Sequence, residues 1–156
     1  MNRHLKFIVA ASPGHYQAAH RLLREEGVEK QVLGFPTVMA WDDDTLVGIC
    51  GTRIVDRMIL AGPLIVRTDR KRLFTIMRLC EAYESAMMEI GIRSFILSVE
   101  NESLLHRGMN RYFPDQEPYA KDDEYSHYIW KVRGYGDQGK RSGTVAGGEG
   151  SSAQPG

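Results

Sequence analysis

A chain of 156 residues that is 42% hydrophobic is long enough to bury a core as one domain. Its 20 Lys and Arg balance 20 Asp and Glu, so bulk charge gives no attraction toward nucleic acid or an anionic membrane. The 2 cysteines lie in apolar runs and read as core residues, which excludes a disulfide framework. No apolar run reaches bilayer length, and the opening MNRHLKFIVAAS is too strand-like for a signal peptide. The expected protein is soluble and intracellular, cytoplasmic or assembled in a virion.

Leu5 to Ala10 reads as a first strand. Ser12 as N-cap and Pro13 at the first helical position open a helix, whose stripe is Tyr16, Ala19, Leu22 and Leu23 and whose stop is Gly27. Val28 to Leu33 reads as a second short helix or a turn. Thr37 to Trp41 and Leu46 to Arg53 form the arms of a hairpin around Asp42, Asp43 and Asp44. Three consecutive carboxylates lack the ligand spacing of a hard-cation site, and His15 and His20 do not share a helical face, so no metal is expected.

The chain is organised around Met58 to Asn101. Leu60 to Val66 is an apolar run broken by Gly62 and Pro63, as in a buried strand with a bulge. From Arg70 to Ile90 the period becomes helical, with Leu73, Ile76, Met77, Cys80, Tyr83, Met87 and Ile90 on one face. Met77 is expected to be buried, with truncation to Ala costing about 2–5 kcal/mol. Gly91 ends the helix, and Phe95, Ile96, Leu97 and Val99 begin another buried strand. A strand running into a helix start makes an anion site, because unpaired N–H groups and the dipole both point there. Arg67, Arg70, Lys71 and Arg72 crowd that corner, consistent with a phosphate-bearing cofactor or with a solvated basic turn.

ESLLHRGMNRYF reads as a last helix capped by Asn101 and ended by Pro114, and Tyr125 to Val132 alternates as an edge strand. The domain is expected to span residues 1–132. Residues 133–156, rich in Gly and Ser, form a tail that is flexible or ordered only by a partner.

The hairpin MAWDDDTLVGICG, the strand Met58 to Val66, and the run from Gly91 through Asn101 to Tyr112 and Phe113, in the order β-α-α-β-β-β-α-β-α-β, resemble the GNAT superfamily of N-acetyltransferases over about residues 5–132. The resemblance implies an α+β fold: a mixed, mostly antiparallel sheet with helices on both faces. It further implies acetyl-CoA held by Leu64 and Val66 on its pantetheine and by Arg67, Arg70, Lys71 and Arg72 on its phosphates. A Tyr of the last helix would protonate the leaving thiolate. Gly108 stands at that position, so Tyr112 and His106 are the nearby candidates, and Asp56 is the carboxylate just before the fourth strand. The family's phosphate loop carries glycines, whereas Lys71 to Ile76 here has none, so Leu73, Phe74 and Ile76 are expected to crowd the cradle.

These departures favour a degenerate, non-catalytic component of a larger assembly with no required cofactor, similar to small GNAT-like proteins of tailed phages. Its expected partners are other protein chains, met through the tail, with a possible homo-oligomer. The alternative is an active acetyl-CoA-dependent N-acetyltransferase, in which positioning alone supplies much of the rate. Nucleic-acid binding through the basic turn ranks third, because the net charge is zero.

Overall fold

The computed structural model describes residues 4–28, 30–68, 72–112 and 117–132. Arg70, Lys71 and the expected tail lie outside them. The chain forms two compact units, 1–86 and 87–156, with the division inside a helix.

The first unit carries β1 (Leu5–Val9), α1 (Pro13–Glu25), β2 (Val38–Asp42), β3 (Thr45–Val55), β4 (Met58–Val66) and most of α2 (Arg72–Glu89). The four strands lie in the order β1-β2-β3-β4, each antiparallel to the next. α1 begins with a reciprocal cap. Ser12 Oγ accepts from the His15 N–H at 3.2 Å, and His15 Nδ1 accepts from the Ala11 N–H at 2.9 Å. Its buried stripe of Ala19, Leu22 and Leu23 packs with Met39, Leu46 and Ile49 on one face of the sheet. α2 covers the other face. Gly48 leaves room for it, since a Cβ there would lie 2.9 Å from Leu79 Cδ1, and Tyr83 Oη meets Thr52 Oγ1 at 2.6 Å.

Two expectations change in this unit. Of the short helix or turn expected from Val28 to Leu33, the described residues form no helix. The chain that follows is instead strapped to β3: Gly34 N–H donates to the Thr52 carbonyl at 2.9 Å, and Thr52 Oγ1 donates to the Pro36 carbonyl at 2.7 Å. On α2, Ile76, Cys80, Tyr83 and Met87 are buried as expected, but Met77 is only half-buried and Ile90 is 46% exposed. The stripe is rotated so that Leu79 is fully buried, and the large cost of truncation moves from Met77 to Leu79.

The turn of the β3–β4 hairpin places Asp56 at φ 52° and Arg57 at φ 67°. A two-residue turn with both φ values positive favours Gly in its second position, because a Cβ there meets the backbone. Arg57→Gly should therefore raise stability by about 1 kcal/mol, read as a higher midpoint in urea denaturation.

The second unit carries the end of α2, then β5 (Ser94–Glu100), α3 (Leu104–Tyr112), β6 (Ala120–Lys121) and β7 (Tyr125–Lys131), with strand order β5-β7-β6, again antiparallel. Gly91 takes φ 84° just after α2. β5 and β7 alternate. Phe95, Leu97 and Val99 face the core opposite Trp130, Tyr128 and Ser126, and Met109 of α3 is buried. The cap of α3 is Ser103 rather than Asn101: Ser103 Oγ accepts from the His106 N–H at 3.1 Å. Asn101 instead ties β5 to the turn before β7. Its Nδ2 donates to the Asp122 carbonyl at 2.9 Å, and its Oδ1 accepts from Ser126 Oγ at 2.6 Å. β6 is too short to show as a period in the sequence.

The fold is thus mixed α and β with antiparallel strand pairing, as the resemblance implies. Among the described residues, no helix is long and apolar enough to cross a membrane.

Candidate functional site

β4 ends at Val66, and α2 begins six residues later at Arg72. Leu64 pairs with Cys50 and Val66 with Gly48, which fixes the strand end against β3. Arg67 is engaged within the fold. Its Nε donates to the Leu46 carbonyl at 2.7 Å, and its guanidinium meets Glu25 of α1 at 2.8 Å. It therefore staples the end of β4 to β3 and α1. Arg72 is exposed at the helix start. The expected crowding is also smaller than the sequence suggested. Ile76 points into the core, and Phe74 is exposed with the Arg78 guanidinium 5.6 Å from its ring centroid.

An acyl-CoA arm fits the described part of this corner. An apolar strand end leads to a helix start with an exposed arginine, and Thr75 Oγ1, fully buried in the first turn of α2, has no hydrogen-bond partner. The corner does not supply proton transfer. Neither Thr45–Val55 nor Met58–Val66 contains a carboxylate or an imidazole. Asp56 lies in the turn at the far end of β4, roughly 25 Å along the strand from Val66, so it does not join Leu64 and Val66. His106 serves the start of α3, where its Nδ1 accepts from the Glu102 N–H at 3.0 Å. Tyr112 is the last residue of α3.

The second unit holds a constellation that the sequence did not reveal. The β5–β7 register sets Ser98 opposite His127, on the face turned away from the buried residues of those strands. Ser98 Oγ lies 2.8 Å from His127 Nδ1, and Asp122 Oδ2 lies 3.6 Å from His127 Nε2. Asp122 is fixed by its turn, where Oδ1 accepts from the Tyr125 N–H at 2.7 Å and the Glu124 N–H at 2.8 Å. Those backbone donors, the Tyr125 amide foremost, hold its carboxyl below the usual carboxylate range. The rings of Tyr119 and Tyr125 have centroids 6.4 and 6.3 Å from that of His127.

The direction of the Ser98–His127 hydrogen bond follows the tautomer of the ring, and the Asp122 carboxylate stands beside Nε2 at ion-pair range. Ser98 and His127 are 29 residues apart, and only strand pairing brings them together.

No protein-family model and no curated protein sequence matches the chain. Solved structures do. The ribosomal-protein-S18-alanine N-acetyltransferase from Escherichia coli superposes with a TM-score of 0.60 at 10% identity, covering 86% of this chain and 98% of its own. The PaiA N-acetyltransferase from Thermoplasma acidophilum, solved in complex with coenzyme A, gives 0.60 at 13% identity over 82% and 99%. The diaminobutyrate acetyltransferase from Paenibacillus lautus, solved with its substrate L-2,4-diaminobutyric acid and coenzyme A, gives 0.58 at 10% identity over 84% and 96%. The chain has the fold of the GNAT N-acetyltransferases.

Proposed function

We propose that this chain is an acyl-CoA-dependent N-acyltransferase, the reading that its residues alone placed second. One observation carries it: β4 delivers an apolar strand end to a helix start marked by exposed Arg72, within a fold shared with acetyltransferases over more than four-fifths of the chain. The substrate class is an acyl thioester and a primary amine. Calorimetry with acetyl-CoA should give sub-millimolar binding. Arg72→Ala should weaken it several-fold and reduce its dependence on salt, because a charge-assisted phosphate contact is lost. The absence of heat at millimolar acetyl-CoA would refute the proposal.

A second reading keeps the fold as a non-catalytic module bound to other protein chains through residues 133–156, as in a phage particle. It is favoured by the absence of any glycine from Arg67 to Ile90, where backbone access to phosphates would use one. Weak or absent acetyl-CoA binding, together with loss of a partner on deletion of residues 133–156, would support it.

A further inference from the structure

We propose that the second unit carries a binding site for a small aliphatic carboxylate, in the cavity where the end of α2, the start of β5 and the end of β7 converge. The cavity has a volume of about 430 Å³ and is lined by Met88, Ile92, Arg93, Ser94, Lys131 and Val132. All of these residues belong to one compact unit. The ligand binds there whether or not the first unit holds an acyl thioester.

Backbone pairing builds the site. Ser94 and Lys131 are partners in the β5–β7 register, and the Val132 N–H donates to the Arg93 carbonyl at 2.9 Å. Gly91, at φ 84°, turns the chain out of α2 and into this wall. Arg93 and Lys131 are exposed, and among the described residues neither has an ion-pair partner. No carboxylate is among the described residues that line the cavity. The C-terminus of α2 opposes an anion through its dipole, but its carbonyls are engaged. The Met87 carbonyl accepts from the Ile90 N–H at 3.2 Å and the Ile92 N–H at 3.0 Å, and the Met88 carbonyl accepts from the Gly91 N–H at 3.1 Å. Two unpaired cations therefore share one cavity, and a guanidinium fork with an ammonium near it fits a carboxylate. The Ser94 hydroxyl adds a neutral donor.

The rest of the wall is apolar. Met88 is 37% exposed, and Ile92 and Val132 are half-buried. A methionine adapts its shape to an alkyl group. The volume lies toward the small end of the roughly 300–1,000 Å³ typical of ligand pockets, which suits a short alkyl chain. The two linings together select an anionic head on a short apolar arm. A bare anion or a neutral hydrocarbon satisfies only one of them.

The test titrates the full chain with octanoate, octan-1-ol and acetate, followed by calorimetry and by backbone amide NMR. Octanoate should bind about tenfold or more tightly than either of the others, and should shift the amides of Gly91, Ile92, Ser94 and Val132. Shortening the probe to hexanoate should weaken binding about tenfold, because two methylenes leave the apolar wall. Arg93→Gln should weaken octanoate binding about tenfold and Lys131→Gln several-fold, with melting temperatures near that of the parent because both side chains are exposed. Equal affinity for octan-1-ol and octanoate would overturn the proposal. So would octanoate binding unchanged in the Arg93→Gln, Lys131→Gln double variant, or no shift of those four amides at millimolar octanoate.

Discussion

Replacing Trp130 by Ala should destabilise the chain by about 3–5 kcal/mol, the range for removing a large aromatic from a packed core. Trp130 is 1% exposed and is the largest fully buried side chain described. It lies directly opposite Phe95 in the β5–β7 register, with the two rings stacked at 5.9 Å and 11°. The loss combines buried apolar area, the cavity left behind and the ring pair. Trp130→Phe keeps a ring against Phe95 and should fall between the parent and the Ala variant. Urea denaturation followed by circular dichroism measures both, and a cost below about 1 kcal/mol for the Ala variant would contradict the packing described. The same strand pairing that buries Trp130 on one face presents His127 beside Ser98 on the other. Imidazole nitrogen shifts in the Ala variant, recorded where it is still folded, should therefore show a weakened Ser98–His127 bond.

How much of this could be read from the chain depends on how local each signal is. Ser12 and Pro13 open α1 because capping is decided within four residues. The arms around Asp42 to Asp44 and the long period of α2 are equally local, and all appear where expected. The register of α2 against β3 is not local. Gly48 admits Leu79, and this rotates the buried stripe away from Met77. Asn101 looks like a cap because Asn often is one, yet Asp122 and Ser126, more than 20 residues later, draw its side chain away from α3.

The site divides in the same way. The corner between Val66 and Arg72 is a strand-to-helix junction and shows as a change of period in the sequence. The partners of Arg67, Glu25 and Leu46, are remote in sequence and so do not show in the local basic run. Asp56 is close in sequence to β4, but an extended strand carries nearby residues far apart. Ser98, His127 and Asp122 form no motif. A serine and a histidine on separate strands meet only once the β5–β7 pairing is known.

Alkali should unfold the chain progressively from about pH 9, and two thiols and one phenol dictate the course. Cys50 on β3 and Cys80 on α2 are both free and buried. Burial pushes the Cys80 thiol from 9.0 up to about 12, with Glu81 and Glu84 adding to the effect. It raises Cys50 well above 9.0, with repulsion from Cys80 as a second cause. A group with a raised folded pKa binds its proton more tightly in the native state than in the unfolded one. Its contribution to stability is therefore complete below the unfolded pKa and is lost as pH rises through the folded value. Each such thiol should cost about 1.4 kcal/mol per pH unit above pH 9, so Cys80 alone removes about 4 kcal/mol by pH 12. Tyr83, whose phenol is pushed up from 10.0 chiefly by burial, joins above pH 10. Urea midpoints between pH 8 and pH 11 should fall with a slope near that of two thiols at first, then steepen. Cys80→Ala leaves a cavity and lowers the plateau, but it should also flatten the slope by about one thiol's worth, and the slope is the decisive quantity. An unchanged slope in that variant would mean that Cys80 does not titrate with unfolding, and its burial between β3 and α2 would be wrong.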